Sequence, residues 1–159
     1  MPHLDYTISF AVISQLVVSL VGFIFIVKSL QGATEDRLYA HYNEVCKLLM
    51  TKPHLYPYFY GNKILDITTT DPTYPNIREE VEIMAESILG VIEHAAVQRK
   101  NMHGYAWRQC WEKFAHERIN KSEQIKEFYE QNQKWYTIDI KRVFEDAKRL
   151  RTSPPSFNT

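Results

Sequence analysis

The stretch ISFAVISQLVVSLVGFIFIV occupies residues 8–27 and contains no charged side chain. Twenty residues of α-helix extend about 30 Å, which matches the hydrocarbon thickness of a bilayer. Cleaved secretory signals have a basic N-terminal flank and an apolar run of about 7–15 residues. Here the flank has no Lys or Arg, and Lys28 closes the longer run. We therefore predict a retained transmembrane helix over residues 8–28, with a cleaved signal as the alternative.

The charges beside this segment are unevenly placed. Residues 1–7 contain Asp5 but no Lys or Arg, whereas Lys28 and Arg37 follow the segment closely. Because basic residues near a span stay on the cytoplasmic side, we expect the N-terminus outside and the C-terminal domain in the cytoplasm. The two cysteines of the chain agree with this location, since they are too few for a disulfide framework.

One face of the predicted span carries small and polar side chains, at Ala11, Gln15, Ser19 and Gly22. Spacings of three and four residues keep these positions on one side of a helix. Such a face allows two helix backbones to approach closely and to form interhelical hydrogen bonds. We expect it to pack against another transmembrane helix, either a second copy or another membrane protein. The alternative is a solitary anchor that tolerates these residues.

Apolar residues after Lys28 recur at helical spacing. The pattern predicts a helix that Thr34 caps and Pro53 ends. Its apolar face consists of Leu38, Tyr42, Val45 and Leu49. A longer helix begins near Asn76, and its apolar face consists of Ile77, Val81, Met84, Ile88, Val91 and Ala95. We expect Ile88 to be buried, and we expect Glu80, which lies off this face, to tolerate substitution.

Two further helical patterns complete the chain. The first contains Trp107, Trp111 and Phe114. The second is predicted to start at Ser122, and its apolar residues are Ile125, Phe128, Tyr129, Trp135, Ile140, Val143, Phe144 and Ala147. This number of amphipathic helices favours one bundle. We predict an all-α fold, with one N-terminal transmembrane helix followed by a small antiparallel bundle of four to five helices. The predicted parts are a flank (1–7), the span (8–28), a juxtamembrane connection (29–33), the bundle (34–151) and a flexible tail (152–159).

Charge and motifs exclude several classes of function. Lys and Arg together number 19, as do Asp and Glu, so the net charge is +0 and nucleic acid is not an expected partner. The sequence contains no glycine-rich nucleotide motif and no nucleophile elbow, so we predict neither an enzyme nor a cofactor. Two pairs at helical spacing, His41 with Glu44 and Glu112 with His116, leave a metal-dependent enzyme or sensor as an alternative.

Aromatic residues are concentrated in one short segment, at Tyr56, Tyr58, Phe59 and Tyr60. Tyr side chains have an apolar ring and a polar end, which suits both cores and interfaces. Packing in the core is the simpler interpretation. Contact with a partner protein or with lipid headgroups is the alternative, because the short connection keeps the bundle near the membrane.

Four sequence elements together resemble a known group of proteins. They read KPHLYPYFYGNK (52–63), REEVEIMAESILGVIEH (78–94), WRQCWEKF (107–114) and FYEQNQKWYTIDIKRVFED (128–146). This arrangement resembles a group of bacterial single-pass membrane proteins that have a PYFY-containing cytosolic helical domain of unknown function. The resemblance covers residues 34–147 and implies an architecture, but it implies no activity and no catalytic residue.

The sequence is best explained by a membrane-anchored helical interaction or scaffold protein, for example an accessory subunit of a larger membrane complex. Its expected partners are the lipid bilayer and another transmembrane helix. Two alternatives remain open, a metal-dependent enzyme or sensor tethered to the membrane and a stress or defence effector that acts at the membrane.

Overall fold

The computed structural model describes residues 3–65, 75–102 and 107–152. Every regular element in these residues is helical, which confirms the predicted all-α class. The helices are α1 (His3–Thr51), α2 (Tyr56–Tyr60), α3 (Ile77–Gln98), α4 (Glu112–Lys121), α5 (Glu123–Gln131) and α6 (Ile138–Thr152). Short 3₁₀ turns occupy Pro53–Leu55 and Gln133–Trp135, and a π-helical turn, Trp107–Trp111, leads into α4. The predicted tail lies outside the described residues, apart from Thr152.

Helix α1 is continuous over 49 residues, or about 73 Å at 1.5 Å per residue. The predicted connection, residues 29–33, is part of this helix. The predicted helix start at Thr34 is therefore wrong. The Thr34 hydroxyl instead donates a hydrogen bond of 2.9 Å to the Leu30 carbonyl, as threonines do within helices. Gly32 alone opposes helix formation here, and one glycine costs only about 1 kcal/mol.

The two halves of α1 have different surroundings. The most apolar stretch of the N-terminal half has a mean hydropathy of 2.1, and none of it is buried. By length and composition, α1 is the one helix in the described part of the chain that can cross a membrane. In the C-terminal half, Leu38, Val45 and Leu49 are buried and Tyr42 packs against them. The predicted apolar face of this half is confirmed.

Helix α3 lies at the centre of the bundle and contacts α1, α5 and α6. All six residues of its predicted apolar face are buried, namely Ile77, Val81, Met84, Ile88, Val91 and Ala95. Ala85, Leu89, Ile92 and Ala96 are buried beside them. Because neighbours cover α3 on several sides, its buried surface is wider than the single predicted face.

The C-terminal helices pack as predicted except around Trp135. Ser122 caps α5, as expected, by accepting a hydrogen bond of 3.3 Å from the Ile125 amide. The apolar residues of α6 are buried, namely Ile140, Val143, Phe144 and Ala147. Trp135 is 69 % exposed, so its predicted place on the apolar face is wrong. Helix α5 ends at Gln131, and the following turn moves Trp135 out of the helical phase.

Candidate functional site

The predicted packing face of the span is not covered by the rest of the described chain. Gln15, Ser19 and Gly22 are all exposed, and a methyl group added at Gly22 would meet no atom within 4 Å. The side chain of Ala11 lies outside the described residues. The face is therefore sterically open to another helix, and its use as an interface stays a prediction.

The aromatic segment is divided between core and surface. Tyr58 and Phe59 are buried, and Tyr60 is partly buried against the core. Tyr56 is 54 % exposed, and its ring stacks on that of Tyr60 with centroids 4.4 Å apart. Half of the segment therefore holds α2 in the bundle, while the Tyr56–Tyr60 pair presents an aromatic surface.

Two side chains from the end of α4 hold this segment in place. The Ser122 hydroxyl donates a hydrogen bond of 3.0 Å to the Tyr58 carbonyl. Arg118 donates one of 3.4 Å to the Phe59 carbonyl, and its guanidinium lies 3.9 Å from the centroid of the Tyr60 ring. A helix as short as α2 leaves its last carbonyls without partners of its own. Arg118 and Ser122 supply those partners.

Arg118 is buried, and Glu117 partly balances its charge at 3.4 Å. Glu117 has a lowered pKa because Lys121 donates a hydrogen bond to its carboxylate and Arg118 lies nearby. Burial raises the pKa of the Tyr60 hydroxyl, against the opposing effect of Arg118. Glu117 thus contacts both Arg118 and Lys121, and the Arg118 guanidinium also lies over the Tyr60 ring. The arrangement therefore stabilises the fold.

Glu80 joins the end of α1 to the start of α3. Its carboxylate lies 2.6 Å from Lys52 Nζ and 2.6 Å from His54 Nε2. These two hydrogen bonds lower the pKa of Glu80 below its ordinary value. Glu80 lies off the buried apolar face, as expected, and its tolerance of substitution stays a prediction, although these two contacts were not part of it. Nothing in the local sequence indicates a partner 28 residues away.

In the described part of the chain, the residues proposed as metal ligands do not come together as a set of three or more possible ligands. The ring of His41 lies 6.0 Å from that of His94, while Glu44 is exposed. The pKa of His94 is lowered by burial and by the nearby His41 and Arg37. Within the described residues, no cluster of three or more His, Cys, Asp or Glu side chains can hold a metal ion. The metal-dependent alternative therefore has no geometric support there.

Described residues line a small pocket and a larger crevice on the bundle. A pocket between α3 and α5, lined by Val81 and Gln124, measures about 30 Å³, which suits one water molecule rather than a substrate. A crevice of about 470 Å³ lies where α1 meets the end of α3, and Arg37 and Lys100 line it. Its volume is in the range of ligand sites.

No protein-family model, curated protein or solved structure matches this chain. The resemblance to bacterial membrane proteins with a PYFY segment therefore stays a prediction.

Proposed function

We propose that this protein is a membrane-anchored helical interaction protein, which holds its bundle at the cytoplasmic surface and packs its span against another transmembrane helix. The observation that carries this proposal is the continuity of α1. One half of this helix is packed into the bundle and the other is apolar and uncovered. Because one continuous helix belongs to both the span and the bundle, a displacement of the span by a partner helix in the membrane also displaces the bundle.

The polar groups of the bundle support an interaction role rather than catalysis. Arg118, Ser122 and Glu80 each bond to neighbouring elements, so their chemistry is used in holding the fold. The surface meanwhile presents large apolar side chains, including Tyr56 and Trp135. Aromatic side chains are enriched at protein interfaces. Such a surface is suited to binding another protein.

The proposed orientation places the N-terminus outside and the bundle in the cytoplasm. It is supported by the first basic residue, Lys28, which directly follows the apolar run, and by the tendency of basic residues to stay inside. A reporter that is active only in the cytoplasm should function when fused after Thr159 and should fail at the N-terminus. The opposite pattern would contradict the orientation.

Crosslinking within the native membrane tests the proposed helix contact. We expect Gly22→Leu to abolish association through the span, because bulk at the closest approach separates the backbones. Gln15→Leu should weaken association less, since one interhelical hydrogen bond contributes about 0.5–2 kcal/mol.

Val17→Phe is the matched control, because Val17 is exposed and lies on the opposite side of the helix at 100° per residue. It should leave the crosslinked species unchanged. Equal crosslinking of wild type and Gly22→Leu would show that the span acts only as an anchor.

A further inference from the structure

We propose that the crevice between α1 and the end of α3 binds the phosphate group of an anionic phospholipid from the surrounding bilayer. This inference rests on the proposed function in one respect only, namely that α1 crosses a membrane. It adds a ligand class and a site to that function, and it is independent of the partner of the span.

The side chains that line the crevice change from apolar to polar to cationic along α1. Val27 and Leu30 form its apolar end, Gln31 and Asn101 contribute polar groups, and Arg37 and Lys100 contribute positive charge. None of the lining residues is a carboxylate. This sequence of apolar, polar and cationic groups matches the sequence of acyl chain, glycerol backbone and phosphate in a phospholipid.

Placing Val27 at the edge of the hydrocarbon puts the crevice at the height of the headgroup layer. Val27 is the last residue of the apolar run, and the headgroup layer extends about 5–8 Å beyond the hydrocarbon on each side. The Arg37 backbone is about 15 Å farther along the helix axis than Val27. Helical side chains lean towards the N-terminus, so the Arg37 side chain leans back towards the membrane. Long cationic side chains commonly reach the interface in this way.

Among the described residues, Arg37 and Lys100 are not paired with an acidic side chain, whereas several other cations of the bundle are. Lys52, Lys121 and Lys126 each form an ion pair of 2.8 Å or less with a glutamate. Within the described part of the chain, neither Arg37 nor Lys100 forms an ion pair. A phosphodiester seated between them would therefore receive charge from both α1 and the end of α3. Because the apolar end of the crevice continues into the span, a lipid phosphate fits better than an acidic protein segment.

The site is tested with the full-length protein in phosphatidylcholine nanodiscs that contain a trace of spin-labelled lipid. Electron paramagnetic resonance measures the preference for labelled phosphatidylglycerol over labelled phosphatidylcholine. The test variant is Arg37→Gln with Lys100→Gln. The matched control is Lys47→Gln with Lys134→Gln, which removes the same charge from two exposed positions, one of them about 15 Å farther along α1.

We expect the wild type to prefer phosphatidylglycerol, with up to about fivefold contributed by each of the two cations, and we expect the test variant to lose this preference. The control variant should keep the wild-type preference. Equal preference in the test variant and the wild type would overturn the proposal. An equal loss in both variants would also overturn it, because the effect would then reflect net charge alone.

Two further observations distinguish soluble phosphate from lipid phosphate, and failure of membrane insertion from failure of the lipid site. Loss of the lipid preference on addition of millimolar inorganic phosphate would show that the crevice takes soluble phosphate, which would overturn the assignment to lipid. Failure of the protein to enter nanodiscs would contradict the crossing of the membrane by α1, and with it both proposals. Normal entry without a headgroup preference would contradict the lipid site alone.

Discussion

Truncation of Ile88 tests whether α3 is the centre of the core. Ile88 is 1 % exposed, whereas Ile83, five positions earlier on the same helix, is 54 % exposed. The change Ile→Ala removes three carbon atoms at either site. At Ile88 the lost burial contributes about 0.8 kcal/mol per carbon, and the remaining cavity raises the total cost to about 2–5 kcal/mol.

Ile83→Ala is the matched control for this substitution. A largely exposed side chain loses little burial, and alanine favours helix more than isoleucine does, so the expected change is within about 0.5 kcal/mol. For a chain of this size, 1 kcal/mol shifts the melting temperature by about 2–4 °C. Ile88→Ala should therefore lower the melting temperature by roughly 4–20 °C, and Ile83→Ala by about 2 °C or less.

The assay is thermal unfolding of the full-length protein in detergent, followed by the tryptophan signal. Trp111 is a suitable reporter because it is buried and contacts Tyr42 of α1. Ile88→Val, with an expected cost of about 0.5–1.5 kcal/mol, provides a milder variant that should still fold. Similar melting temperatures for Ile88→Ala and Ile83→Ala would refute the central position of α3.

Two further predictions concern polar contacts that join distant parts of the chain. Ser122→Ala removes both the cap of α5 and the hydrogen bond to Tyr58, so the same melting assay should show a loss of about 1–3 kcal/mol; an unchanged melting temperature would contradict this role. Glu80→Gln should cost about 1 kcal/mol at neutral pH, because the pair with Lys52 is partly exposed. The folded pKa of Glu80 is lowered, so its contribution is present above the ordinary carboxyl pKa and is lost as the pH falls through the folded value. The difference between wild type and Glu80→Gln should therefore shrink in acid, and a constant difference from pH 7 to pH 3 would contradict the ion pair.

The sequence predicted the buried faces of the helices well because burial follows local spacing. The positions of Ile88, Val45 and Phe144 follow from apolar residues that repeat every three or four positions, and this period is a property of the helix itself. The capping role of Ser122 was likewise predictable from its place directly before an amphipathic run.

The sequence could not predict contacts that depend on how helices meet. Arg118 reaches the Phe59 carbonyl across 59 positions, and Ser122 reaches the Tyr58 carbonyl across 64. No local pattern marks such pairs. The predicted break before Thr34 was wrong for a different reason, since a threonine can either cap a helix or bond to a carbonyl within one. Which of these two roles Thr34 takes depends on whether residues 29–33 are helical, and here they are.

The proposed function depends on the continuity of α1 across residues 29–33, and this continuity can be measured as a distance between two spin labels. Val18 and Asp36 are exposed, flank this segment and lie 18 residues apart, which is five turns and about 27 Å on one side of a helix. The labels are placed at Val18→Cys and Asp36→Cys, with Cys46→Ala and Cys110→Ala to remove the native thiols. We predict one narrow distance distribution near 27 Å for the full-length protein in nanodiscs. A broad distribution, or one centred at clearly shorter distances, would show a hinge before Thr34 and would contradict a continuous α1.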